Sequence, residues 1–186
     1  MTKMLPFGNS NGANMALYKK IACSDLTVIN QTILAYVNSK TLDDTVFWHP
    51  VDMIEFMRFN PLFSAWWMQN KLPIKSIAIT QGTHANCCGP HTDTPPSRIK
   101  LSWPVLNTEH TWNRWYQPLP GARKQVNQLG GISYLDRDNL IEIDRMRVDS
   151  PALIVTNVPH DVWFEPHAVF PRLGLQCQLF EEPESL

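Results

Sequence analysis

The chain has no long apolar run, no basic tract and no paired-cysteine signature, and each absence removes a class of protein. No stretch approaches the roughly 20 consecutive apolar residues that a membrane-spanning helix needs. Lys and Arg number 16 against 17 Asp and Glu, for a formal net charge of −1. Nucleic-acid binding depends on surplus cations to neutralise phosphates, so nucleic acid is not an expected partner. The four cysteines, Cys23, Cys87, Cys88 and Cys177, contain no CxxC spacing. Neither a disulfide framework nor a zinc knuckle is expected, and the thiols read as free. Zinc bound through Cys87 and Cys88 is disfavoured because adjacent residues of a strand point to opposite faces. The opening residues, MTKMLPFGNSNGANMALYKK, lack the apolar centre of a secretory signal. A cytoplasmic location is the expectation.

What is present is a folding composition. Hydrophobic residues make up 44% of the 186 positions and charged residues 18%, the balance of a globular chain. The length fits one domain, 1–186, with its own core. Residues 1–17 read as a polar lead-in. In SDLTVINQTILAYVNSK, Ser24 or Asp25 offers a cap, and Val28, Ile29, Ile33, Leu34 and Val37 follow at helical spacing. HPVDMIEFMRFNPLFSAWWMQNKLP reads as two short helices broken before Pro61, because the residue before a proline avoids the α region. Pro73 marks the end of this helical section, 1–73.

From residue 74 the texture changes to short β-prone runs: IKSIAIT, RIKLSWPVLN, HTWNRWY, GGISYLD, LIEID, ALIVTNV and RLGLQCQLF. The segment DRDN, 136–139, reads as a hairpin turn. QPLPGARKQVNQLGG is the longest candidate loop, a possible flap, and the tail EEPESL reads as frayed. Seven or eight strands after an N-terminal helical section predict a mainly β, α+β fold. The natural architecture is a jelly roll over 74–180, cupin-like, with the helices buttressing one outer face.

The chemistry concentrates in CCGPHTDTPP, 87–96. In a strand, His91 and Asp93 share a face while Thr92 points away. Pro95 and Pro96 cannot donate to a ladder and end the strand just beyond the pair. Alone, HxD is a weak signal, equally a turn whose aspartate accepts local backbone bonds. It gains weight from His160, which follows the strongly β-forming ALIVTNV. Two histidines and one carboxylate make a facial iron site with open positions. Arg172 opens the last apolar strand, where a guanidinium can fork onto a carboxylate.

PHTD followed by RIKLSWPVLNTEHTWNRWY, then PALIVTNVPHDVWF and PRLGLQCQLF, resembles the iron(II)/2-oxoglutarate-dependent dioxygenase superfamily over about residues 74–180. It is similar to small members in which HxD precedes paired strands. The resemblance implies a double-stranded β-helix, Fe(II) held by His91, Asp93 and His160, and Arg172 on the distal carboxylate of 2-oxoglutarate. It also implies hydroxylation of a small-molecule or peptidyl substrate, coupled to decarboxylation of 2-oxoglutarate to succinate. Two features depart from the pattern: Asp161 directly follows the distal histidine, and EPHAVFP lengthens the gap to Arg172. That insertion makes His167 a competitor for the third ligand, disfavoured because only five residues separate it from Arg172.

Other residues carry two readings. Trp103 and Tyr116 read either as walls of the cofactor pocket or as aromatic core. Arg98 and Lys100 are solvated charges or reach the cosubstrate, and Asn107 lines the pocket or ends its strand. His110 reads as a turn residue, and His49 and His84 as structural. Two rival functions remain: a cupin-like metalloenzyme without 2-oxoglutarate, whose sites favour HxH, and a non-catalytic jelly-roll binding module.

Overall fold

The structure, a computed structural model, describes residues 16–83, 89–94, 98–127, 130–181 and 186. The expectations for His84, Cys87 and Cys88, for Pro95 and Pro96, for most of the lead-in and for most of the tail lie outside the described residues. The described chain is mainly β, with two antiparallel six-stranded sheets and three α-helices.

The helical section forms much as its spacing predicts. α1 runs Leu26–Asn38 and buries Ile29, Ile33, Tyr36 and Val37. Asp25 stands at its N-cap but makes no side-chain capping bond; the Ser24 hydroxyl instead donates to the Asp25 carboxylate. α2, Met53–Phe59, is capped by Asp52, whose Oδ1 accepts from Glu55 N at 2.9 Å. The break falls at Asn60, and α3, Pro61–Gln69, starts with proline in its first turn, where the missing N–H costs nothing.

The β section has more strands than the sequence suggests. They are β1 Tyr18–Lys20, β2 Trp48–Pro50, β3 Ile74–Gly82, β4 His91–Thr92, β5 Ile99–Leu106 and β6 Thr111–Pro118, followed by β7 Lys124–Val126, β8 Ile132–Tyr134, β9 Leu140–Arg147, β10 Ala152–Val155, β11 His160–Phe164 and β12 Arg172–Leu179. The first sheet has the order β1-β10-β5-β12-β3-β2 and the second β7-β8-β4-β11-β6-β9. Two short strands from the helical section, β1 and β2, therefore extend the first sheet at both edges.

Two local expectations are corrected. The candidate flap contains β7, which pairs with β8 to add a hairpin beside β4. DRDN is not a hairpin turn: Arg137–Asn139 form a 3-10 turn between β8 and β9, and those strands pair with other partners. HDVWF, which is not among the β-prone runs read from the sequence, forms β11.

The first sheet has two buried faces. Leu101, Trp103, Leu173, Leu175, Cys177, Ile77 and Ile79 pack against Ile29, Ile33, Phe56, Phe63 and Trp66 of the helices. The opposite face meets the second sheet, where Trp115 and Met146 pack on Ala152 and Ile154. Three layers result: helices, first sheet, second sheet. The gap between the sheets is where the site lies.

Candidate metal centre

β4 and β11 are neighbours, and His91 pairs with His160 across them. Asp93, two residues after His91, anchors through its N–H to Thr156 O at 2.9 Å. The ligand-capable atoms of His91, Asp93 and His160 all lie within 4.8 Å of one another. The imidazoles stand 4.7 Å apart, centroid to centroid, and His91 Nε2 is 3.7 Å from Asp93 Oδ1.

Both histidines are oriented by the backbone. His91 Nδ1 donates to Gly89 O at 2.8 Å, and His160 Nδ1 donates to Val158 O at 2.9 Å. A carbonyl only accepts, so Nδ1 carries the proton and Nε2 keeps its lone pair for a metal. In each case the acceptor lies two residues upstream, so the same local turn of chain sets both tautomers. Burial pushes the pKa of His160 down to about 4, so its imidazole is neutral near pH 7. The donor set of two imidazoles and a carboxylate suits a divalent transition metal.

The carboxylate of Asp93 is divided between two tasks. Lys100 Nζ, from β5 of the opposite sheet, sits 2.7 Å from Oδ2. Oδ1 is the oxygen turned toward His91. Burial disfavours the charged carboxylate, but His160, Lys100 and His91 more than offset it, and Asp93 ionises below the ordinary carboxylate range. Lys100 itself is only 5% exposed, and its ammonium lies 5.0 Å from the centroid of the Trp48 ring. Of its two readings, the solvated charge is the one the structure excludes. The alternation Lys100, Ser102 against Leu101, Trp103, Val105 was the signal for this: one set faces the gap and the other the helices.

Arg172 faces the same gap. It pairs with Gly82, and a Cβ on Gly82 would come within 2.8 Å of Phe164 from the second sheet. Gly174, two residues on, shares that face, and a Cβ there would lie 2.9 Å from Arg172 Nη1. The guanidinium therefore lies over Gly174, where any larger residue would crowd it. Nη1 donates to Thr80 Oγ1 at 3.1 Å, and Nε has no hydrogen-bond partner. Among the described residues no carboxylate forms an ion pair with it. Burial lowers its pKa to about 10.

Trp103 and Tyr116 are not brought to the site. Trp103 lies on the helix-facing side of β5, fully buried, in edge contact with Phe63 and Trp66, its Nε1 donating to Asn30 Oδ1 at 2.7 Å. Tyr116 lies on the outer side of the second sheet, with its hydroxyl donating to Asp161 Oδ2 at 3.0 Å. Asp161 is the hub there: it also accepts from Arg114 Nε and Nη2 at 3.0 and 2.7 Å and pairs with Arg137 at 3.2 Å. The residue that looked out of place beside His160 thus points the other way along the strand and holds an ion-pair network. His167 and His110 lie in a second cluster with Glu165. Asn107 takes a positive φ of 54° and donates from Nδ2 to Pro171 O at 2.9 Å, joining the two loops that precede β6 and β12.

No protein-family model matches this chain, and no curated protein matches it in sequence.

Proposed function

We propose that the chain is a mononuclear non-haem Fe(II) oxygenase that takes 2-oxoglutarate as cosubstrate and hydroxylates a small-molecule or peptidyl substrate. The observation that carries this reading is a pairing across one gap. His91, Asp93 and His160 offer a two-imidazole, one-carboxylate donor set on one sheet, and the other sheet presents a buried Arg172 bonded to Thr80 and, among the described residues, to no carboxylate. A buried guanidinium without an anion is costly, so the free Nε is the mark of a ligand anion.

The strand order supports a double-stranded β-helix. The chain passes from one sheet to the other at β3–β4, β4–β5 and β5–β6, and again at β9–β10, β10–β11 and β11–β12. That alternation leaves β10-β5-β12-β3 facing β4-β11-β6-β9, the arrangement expected of a jelly roll.

Each side chain then has a task. His91 and His160 hold Fe(II) through Nε2, and Asp93 holds it through Oδ1 while Lys100 fixes Oδ2. Arg172 and Thr80 bind the far carboxylate of the cosubstrate. Phe164 and Trp48 exclude water from the cationic end of the gap. Bound Fe(II) would activate dioxygen, the oxidant, with 2-oxoglutarate giving two electrons as it is decarboxylated to succinate, so that one oxygen atom enters succinate and the other a substrate C–H bond; the protein supplies ligand geometry and a dry site.

The test has two arms. Under anaerobic conditions, Fe(II) with 2-oxoglutarate should develop the weak visible charge-transfer band of chelation, lost in His91→Ala. With a redox-inert divalent metal, calorimetric titration of 2-oxoglutarate should show Arg172→Leu weakened by roughly 30-fold or more, since a charged contact in a closed site is worth about 2–5 kcal/mol. Equal affinities for wild type and Arg172→Leu would remove the cosubstrate from this reading and leave a metal-binding jelly roll.

A further inference from the structure

A second group of metal-capable side chains lies away from the gap, on loops that the proposed function does not use. His110 stands in the turn between β5 and β6, Glu165 directly follows β11, and His167 lies in the connection to β12. Their ligand-capable atoms all fall within 4.8 Å of one another. The meeting is built by the sheet. Glu165 N donates to His110 O at 3.0 Å, one rung beyond the Phe164–Thr111 pair. That rung makes residues 110 and 165 cross-strand neighbours. Pro166 then fixes the backbone of the two-residue step that returns His167 to the same place.

The carboxylate of Glu165 is held in the manner of a metal ligand. Its Oε1 accepts from Trp112 Nε1 at 2.8 Å. This leaves Oε2 for the imidazoles, 2.8 Å from His110 Nδ1 and 3.3 Å from His167 Nε2. The two rings are 4.0 Å apart between centroids and cross at 67°. A tetrahedral ion with bonds near 2.1 Å needs ligand atoms about 3.4 Å apart. The two imidazole–carboxylate separations, 2.8 and 3.3 Å, lie inside that value, so an ion fits once the His110 and Glu165 ligand atoms spread by roughly half an ångström. The indole on Oε1 is the kind of outer partner that orients a ligating carboxylate. The side chain of His167 is 66% exposed, so one side of the cluster is open to water for a fourth ligand.

We infer that His110, Glu165 and His167 bind a second divalent ion of borderline softness, Zn(II) in type, which ties the β5–β6 turn to the β11–β12 connection. The connection it fastens leads straight into Arg172, and Asn107 Nδ2 already joins the same two loops through Pro171 O. The ion thus fixes the point from which Arg172 enters the gap. The inference rests on this cluster alone and stands whether or not the gap holds iron.

The experiment is a count of bound metal on the full chain, with Zn(II) alone as the probe and elemental analysis after gel filtration. His110→Gln/His167→Gln should carry one equivalent fewer than wild type, whatever the first site does. His91→Ala/Asp93→Ala should keep the equivalent that the first variant loses. Co(II) in place of Zn(II) should give a visible band of tetrahedral N/O coordination in the His91→Ala/Asp93→Ala protein, and amide exchange over 165–171 should slow on adding metal. Both substituted histidines lie at the surface, and matching circular dichroism of the metal-free proteins confirms that the comparison is between folded chains. Equal zinc content in wild type and His110→Gln/His167→Gln overturns the inference, as does a Co(II) spectrum unchanged by that substitution.

Discussion

β12 has two buried faces with opposite characters. On one, Leu173, Leu175, Cys177 and Leu179 pack with Leu101 and Trp103 against the helices. On the other, Arg172, Gly174, Gln176 and Gln178 look toward the second sheet beside Thr80, Ser102 and Lys100. The first face is filled by side chains that satisfy one another. The second leaves polar atoms wanting: Arg172 Nε on the first sheet, Asn113 Nδ2 and Thr111 Oγ1 on the sheet opposite. An unsatisfied buried polar atom costs about 1–3 kcal/mol, and folded chains retain few of them. Such atoms are not confined to the gap, since His49 Nε2, Asn60 Oδ1 and Gln81 Oε1 also lack partners, but on β12 itself the contrast holds: the helix side stabilises the fold, and the gap side keeps a polar group at the expense of stability.

The comparison breaks most visibly if a large side chain on the helix face is removed. Trp103→Ala should destabilise the protein by about 3–5 kcal/mol in urea unfolding, the usual cost of deleting a buried aromatic side chain. Metal stoichiometry of the folded fraction should be unchanged. A loss of metal out of proportion to the loss of fold would join the two faces that the structure separates.

Next in size is a pH effect from the gap face. His160 has a folded pKa of about 4 because of its burial, against roughly 6.5 in an unfolded chain. Between those values the unfolded chain takes up a proton that the folded one refuses. The metal-free protein is therefore at full stability above pH 6.5 and loses about 3 kcal/mol as the pH falls to 4. His160→Gln should flatten this part of the profile, measured as unfolding free energy at several pH values. An unchanged slope would mean that the imidazole is not buried as described.

Arg172→Leu should go the other way. Removing a buried guanidinium that has no ion-pair partner among the described residues should stabilise the unliganded protein by roughly 1–3 kcal/mol, while weakening the proposed 2-oxoglutarate binding by roughly the 30-fold or more given above. A destabilised Arg172→Leu protein would show that Arg172 belongs to the structural face.

The same two faces explain what was legible in the sequence. Alternation in RLGLQCQLF and IKLSW identified strands, and helical spacing identified α1, because both periods are local. The convergence of His91, Asp93 and His160 was legible too, since HxD fixes one face and a late histidine can reach it. What was not legible was which face of an alternating strand looks at the gap. On β5 and β12 the apolar set packs on the helices and the polar set turns into the gap, while β6 and β10 turn Trp115, Ala152 and Ile154 into it. Both readings of Trp103, pocket wall or aromatic core, and both of Lys100, solvated charge or cosubstrate contact, therefore stood open in the sequence. Tyr116 shares the outer face with Arg114, two residues before it, and both bond Asp161; alternation groups them but does not say which face of β6 looks at the gap. The second cluster was invisible because it depends on Glu165 pairing with His110 across 55 residues.

The smallest predicted effect is also the most selective. Gly174 lies between the two faces: its missing Cβ would sit 2.9 Å from Arg172 Nη1, 3.0 Å from Trp103 O and 3.1 Å from Thr80 Oγ1. The guanidinium and the hydroxyl can give way, being side-chain ends, but the Trp103 carbonyl belongs to the backbone of β5 and cannot move without disturbing the ladder. Against this strain, Gly174→Ala lowers the entropy of the unfolded chain, a gain of about 0.4–1 kcal/mol. Overpacking of this kind costs roughly 1–3 kcal/mol, so the net change should be a loss of about 1 kcal/mol. The larger consequence falls on function, because the methyl group occupies the place where the Arg172 fork and Thr80 meet. Calorimetric titration should show 2-oxoglutarate affinity falling in Gly174→Ala while affinity for the metal stays at the wild-type value. If both affinities are untouched, the fork has room to spare, and the glycine serves only the close approach of β12 to β5.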